Sequence, residues 1–270
     1  MHAQRSARRW ALWTFVAAMA SIAAGGCGFG PLPGRATEEW TKTYPLTAGG
    51  EVRIANTNGK VEIEGVDGPT VEVHAQKIAR AATDEGARQL LPRIVINEEI
   101  KPDRVSIETG RLAGIMIGAG FEVHYHVKAP RAAVVNARTT NGGVTLTGLT
   151  GKIVARTTNG GVKATALTGP VDAASTNGAV SIDLASLGAD RIALRTTNGS
   201  VTLNVPETAK ADVVATWTNG GMSVNGLTVD VSERSRRRFE GKLNGGGTPI
   251  ELHTTNGGIR LQARDAEAQR

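Results

Sequence analysis

His124 and His126 stand two residues apart in this 270-residue chain, with Glu122 two residues before them. On an extended strand all three project from one face, while Val123, Tyr125 and Val127 project from the other. Two imidazoles and a carboxylate are ligands that zinc accepts. No third His or Cys stands nearby, so the stretch reads as a solvated strand face and no metal is expected. Arg234, Arg236, Arg237 and Arg238 form the densest charge cluster beyond the N-terminal region. Guanidinium forks pair with phosphate or carboxylate, which makes the cluster a candidate anion site for lipid headgroups or anionic glycans. Its plainer reading is a solvated loop that interrupts a repeat. Asp172, Asp183, Asp190, Asp212 and Asp230 fall at different offsets from their nearest Asn-Gly pair. General acid–base catalysis needs convergent groups, so no catalytic residue is expected. The glycines precede strands rather than a helix, which excludes a phosphate-cradling loop. The repeats also lack the Asp of calcium-binding solenoid units, and no cofactor is expected.

What does recur is a corner. TTNGG occurs at 139–143, 157–161 and 254–258, with relatives NTNGK at 56–60, STNGA at 175–179, TTNGS at 196–200 and WTNGG at 217–221. The pairs are Asn58-Gly59, Asn141-Gly142, Asn159-Gly160, Asn177-Gly178, Asn198-Gly199, Asn219-Gly220 and Asn256-Gly257. From Asn141 the steps are 18, 18, 21 and 21, then 37 where the insert 232–247 intervenes. Asn-Gly between alternating strands is a strong hairpin signal. A hairpin does not need the two preceding threonines, however. Their recurrence is explained if each copy lies directly over the one before, ~4.8 Å away, so that Asn side chains form a hydrogen-bonded ladder and Thr side chains form rows. Two short strands and two turns fill a coil of about 20 residues. The expected fold is therefore all-β, a β-solenoid with a structural turn ladder along one edge.

The elements that must position these corners follow from alternation. Val52 and Ile54 precede the first Asn-Gly pair, and Val61 and Ile63 follow it. Within the repeat, Val144, Leu146, Ile153, Ala155, Val162, Ala164 and Leu167 are assigned inward, as are their counterparts through Met222, Val224, Ile259 and Leu261. Aromatics make up 4% of the chain, which suits a thin aliphatic interior. Residues 80–92 break the rhythm and predict one short helix, capped by Thr83 and stopped by Pro92. Strands are expected at 93–97, 104–109 and 121–128, with an apolar, glycine-rich connection over 110–120.

The first 26 residues read as an export signal: a basic start, an apolar run over 11–24 shorter than the ~20 residues of a spanning helix, and small residues before Cys27. Cys27 is the sole cysteine, which excludes an internal disulfide. Its setting resembles the lipobox of bacterial lipoproteins, with Ala24 where a larger aliphatic residue is usual, and implies a lipid anchor on a membrane. Residues 27–39 form a tether, 40–262 the solenoid domain and 263–270 a polar tail. The formal charge of +6 falls by half once Arg5, Arg8 and Arg9 are set aside, too small an excess to indicate nucleic acid.

The T-N-G-x-V repeats, the helix in the first third, and the segment FEVHYHVKAPRAAVVNARTTNGGV at 121–144, with Pro130 leading into the rungs, resemble the putative-adhesin family of bacterial envelope proteins. The resemblance spans about residues 40–262. It implies an all-β solenoid-like fold and an envelope location, and brings no catalytic residues. The expected role is a non-enzymatic, exported, lipid-anchored protein, on the outer membrane or a periplasmic face, that presents a Thr/Asn-rich surface to a glycan or an envelope protein. The competing expectations are a solenoid enzyme acting on envelope polysaccharide and a structural or sensory envelope component.

Overall fold

In the computed structural model, residues 32–110 and 118–264 are described; Cys27, the export signal and most of the 110–120 connection lie outside them. In chain order the strands begin with β1 (Gly34–Pro45), β2 (Glu51–Ala55), β3 (Val61–Val66) and β4 (Thr70–Ala81), then helix α1 (Asp84–Leu90). After it come β5 (Ile96–Lys101), β6 (Arg104–Thr109), β7 (Ala119–Pro130), β8 (Val134–Asn141), β9 (Val144–Thr147), β10 (Ile153–Asn159) and β11 (Val162–Leu167). The remainder are β12 (Val171–Asn177), β13 (Val180–Leu184), β14 (Ile192–Asn198), β15 (Val201–Val205), β16 (Ala211–Asn225), β17 (Val229–Arg234), β18 (Arg238–Leu243) and β19 (Thr248–Ala263).

The strands form one hydrogen-bonded sheet bent into two faces. The first face runs β5-β6-β2-β8-β10-β12-β14-β19-β16-β18-β17. The second runs β1-β4-β7-β3-β9-β11-β13-β15-β19-β16, because β16 and β19 bend at their Asn-Gly corners and serve both faces. From β6 to β16 on the first face all neighbours are parallel and pair position for position, as in Asn141 opposite Asn159 and Asn159 opposite Asn177. The chain is thus a β-solenoid, and its Asn-Gly pairs are arches between faces rather than hairpin turns.

The stacking departs from chain order at one place. Asn198 pairs with Asn256, and Asn256 pairs with Asn219, so the rung of β19 is inserted between those of β14–β15 and β16. The expectation that each copy lies over the preceding one fails there: the chain skips a level to lay down β16, then returns to fill the gap. The 37-residue step is the length of that detour. The insert 232–247 is also not a loop interrupting the solenoid. It contributes the end of β17 and all of β18, an antiparallel hairpin that extends the first face beyond β16.

Residues alternate between buried and accessible along the rungs, and the interior is mostly Val, Ile, Leu and Ala, with Tyr125 the largest fully buried side chain among the described residues. Met222 and Val224, assigned inward, are only partly buried because among the described residues no strand lies beyond them on the second face. Thr83 caps α1 by accepting from the Gly86 N–H at 3.1 Å, and Asp84 and Glu85 complement the helix dipole. Pro92 then sits in a 3-10 turn over Leu91–Arg93, which delays the next strand to Ile96.

Candidate functional site

Along the edge where the faces meet, the seven Asn side chains form one continuous ladder. Asn141 Nδ2 donates to Asn58 Oδ1 at 2.7 Å, Asn159 to Asn141 at 2.8 Å, Asn177 to Asn159 at 2.9 Å and Asn198 to Asn177 at 2.8 Å. Asn256 then donates to Asn198 and Asn219 to Asn256, both at 2.8 Å. All six bonds point the same way, so each amide polarises the next. Beneath them the backbone runs in the opposite sense: Gly142 N–H donates to Asn159 O, Gly160 to Asn177 O and Gly178 to Asn198 O.

The other letters of the motif have separate duties. The first Thr is buried and donates to the Gly carbonyl of the preceding rung, as Thr139 does to Gly59, Thr157 to Gly142 and Thr254 to Gly199, with Ser175 doing the same to Gly160. The second Thr faces solvent: Thr140, Thr158, Thr176, Thr197 and Thr218 are exposed beside the Asn ladder. The Gly after Asn is required by proximity. A Cβ on Gly142, Gly160 or Gly178 would lie 2.1, 2.1 or 2.0 Å from the carbonyl oxygen of the Gly one rung below. The next position is looser, with a Cβ on Gly143 or Gly258 meeting its nearest neighbour at 3.5 or 3.8 Å though one on Gly161 at 3.0 Å, and Gly143, Ala179 and Ser200 all occur there.

The two departures from the buried-Thr rule mark the two ends of the ladder. In the first rung Asn56 takes the place of Thr, and its Nδ2 donates to the carbonyls of Asn58, Gly59 and Val123. Thr109 Oγ1 donates to Asn56 Oδ1 at 2.9 Å and lies 2.8 Å from Tyr125 Oη, closing a buried polar plug. Burial pushes the Tyr125 phenol up to about 12. In the last rung Trp217 stands where Thr would and is buried, its backbone N–H donating to the Arg237 carbonyl in the turn of the β17–β18 hairpin. The plug went unforeseen, although NTNG in place of TTNG is its trace in the sequence.

The other candidates are dispersed. Arg234 ends β17, Arg236 and Arg237 occupy the turn, and Arg238 opens β18, where it pairs with Glu240 and, at 3.4 Å, with Glu233. The hydrogen bond with Glu240 raises the Arg238 guanidinium further above its ordinary range. His124 Nε2 lies 3.3 Å from Glu122 and its Nδ1 accepts from the Lys60 N–H, while His126 faces Glu62 at 3.9 Å. Among the described residues no three His, Cys, Asp or Glu gather into a metal site. Asp172 pairs with Arg156 at 2.5 Å, Asp183 with Arg264 at 2.9 Å and Asp212 with Lys242 at 3.8 Å, each carboxylate beside a cation. Asp172 and Asp190 do line one depression, together with Lys152 and Arg191.

A parallel solenoid with a continuous Asn-Gly ladder along one edge is the class of protein these features define. Residues 103–262 match the model of the Toastrack DUF4097 family, more than half of the chain, and the chain belongs to that family. Among solved structures it is similar to a "putative cell adhesion protein" from Clostridium sporogenes, with 13% identity, 85% of this chain and 100% of that chain covered, and a TM-score of 0.44. It is also similar to a "putative adhesin" from Bacteroides fragilis, with 11% identity, coverage of 84% and 97%, and a TM-score of 0.38. No curated protein matches the chain.

Proposed function

We propose that this protein is a non-enzymatic component of the cell envelope, exported and held to a membrane through lipidated Cys27, that uses its Asn/Thr edge to bind a glycan or the polar surface of an envelope protein. The observation that carries this reading is the unbroken ladder from Asn58 to Asn219. Each amide has two N–H donors and two acceptor lone pairs, and the ladder uses one of each along its length. The edge therefore offers solvent a row of identical donor–acceptor pairs at strand spacing, flanked by exposed hydroxyls. A polymer with regularly repeated hydroxyl or amide groups can engage many of these at once, which multiplies individually weak contacts. The described acidic groups supply no counterpart of the convergent acid–base pair that glycan cleavage uses. The similar structures described as adhesion proteins accord with this reading in name.

Binding of the full chain to an array of envelope glycans tests it. The expected result is retention of at least one polymeric glycan, lost when Thr158, Thr176 and Thr197 are all replaced by Ala with the circular dichroism unchanged. Retention that ignores the triple replacement would remove the edge from consideration. Depolymerisation of the retained glycan would favour an enzyme centred on the Asp172–Asp190 depression.

A further inference from the structure

The large apolar side chains that stand exposed among the described residues are Val95, Ile100 and Val231, at 51%, 40% and 50% exposure. They lie at opposite ends of the same face. Ile100 is on β5 and Val95 just precedes it, whereas Val231 is on β17. These two strands are the outermost of the first face, and each has hydrogen-bonded neighbours on one side only among the described residues. An apolar, unpaired edge is an invitation to further strand pairing unless it is deliberately blocked. Both edges also carry charged residues, and β17 a β-bulge, so only a strand with matching charges and register pairs with them.

Register makes the two edges complementary. Ile100 is opposite Val105, Val105 opposite Val52 and Val52 opposite Val135, and the same row of the sheet ends in Val213, Gly241 and Val231. Ile100 and Val231 therefore sit at one height. By the same tracing Lys101 is level with Asp230, and Glu98 is level with Arg234 beyond the β-bulge near Ser232. The directions agree as well. β5 runs against the parallel core and β17 runs with it, so in a continuing stack the two strands meet antiparallel.

The ends are also stepped in compensating directions. Beyond the rung of β6 and β7, the second face carries two further strands, β4 and β1, and the first face only β5. Beyond the rung of β16 the first face carries β18 and β17, and the second none. Joining β17 to β5 of another molecule brings β1 of that molecule opposite the uncovered Met222 and Val224, with a gap of about one strand spacing, ~5 Å.

We propose that the solenoid binds a second copy of itself head to tail, with β17 of one molecule pairing antiparallel with β5 of the next, Val231 against Ile100, Asp230 against Lys101 and Arg234 against Glu98. The contact is heterologous, so it repeats and builds a filament rather than a closed dimer. Glu98 already accepts from Lys42 at 2.8 Å and Tyr44 at 2.6 Å, and Glu99 pairs with Lys101 at 2.6 Å, so Arg234 of the incoming end adds a further partner to Glu98 and the charges favour this polarity only weakly.

Sedimentation velocity on the full chain in detergent, from micromolar to hundreds of micromolar, tests this. Mass should rise with concentration without reaching a fixed oligomer. Val231→Lys and Ile100→Lys should each lose every species larger than the monomer. Mixed in equal amounts, they should form a dimer and stop, because each retains one intact end. Should either variant unfold by circular dichroism, Asp230→Lys and Lys101→Asp replace them: each alone weakens assembly and the double exchange restores it. A wild-type monomer throughout, assembly that survives Ile100→Lys, or a mixture that stays monomeric overturns the proposal, as does a double exchange that restores nothing.

Discussion

At the scale of the residue, the T-T-N-G motif divides into one buried hydroxyl, one exposed hydroxyl, one laddered amide and one position closed to any Cβ. Gly142→Ala forces a methyl to 2.1 Å from the Gly59 carbonyl at a φ of 151°, whereas Gly143→Ala meets its nearest neighbour at 3.5 Å. The first replacement should cost about 3–5 kcal/mol in chemical denaturation, combining overpacking with backbone strain. The second should stay within about 0.5 kcal/mol. Tyr125 gives a pH signature. Burial favours its neutral phenol, so its folded value lies above the unfolded value of 10.0 and the stability tied to it is complete below that pH. It is lost as the pH rises from 10.0 towards about 12. Tyr125→Phe should cost about 1–2 kcal/mol at neutral pH by leaving Thr109 a partner short. It should also flatten the fall in melting temperature across that alkaline window, and a variant with the same alkaline slope as the wild type would refute this account.

At the scale of the element, β16 and β19 depend on each other. β19 is flanked by β14 and β15 on one side and by β16 on the other, while β16 has β19 as its only parallel neighbour among the described residues and β18 beside it only over Ala211–Thr216. Stopping the chain after Leu243 should therefore unfold β16 together with the missing rung, and leave the rungs from β8 to β15 protected. Hydrogen exchange measured peptide by peptide would show this, and a protected β16 in the shortened chain would contradict it. The helix, the inward residues and the parallel coils were legible because alternation and capping are local. The inversion of the last two rungs was not, because every T-N-G edge presents the same backbone pattern and register alone does not say which rung is the neighbour. The sequence holds one clue. Trp217 breaks the buried-Thr rule, and a ring too large for an interior rung belongs at the end of the stack.

At the scale of the whole molecule, the two ends of the Asn ladder are finished differently: a buried polar plug of Asn56, Thr109 and Tyr125 at one, and the β17–β18 hairpin beside β16 and its Trp217 at the other. The proposed envelope attachment rests on Cys27, so Cys27→Ser should move the protein from the membrane fraction to the soluble fraction after cell lysis. Persistence in the membrane would exclude a lipid at that residue. The placement of β19 has a mechanical consequence. Tension applied to the chain beyond Ala263 does not peel an outer strand bond by bond. It drags an interior strand between two parallel neighbours, loading many hydrogen bonds in shear at once, so the late-arriving rung acts as a bolt that keeps the stack from unravelling under load.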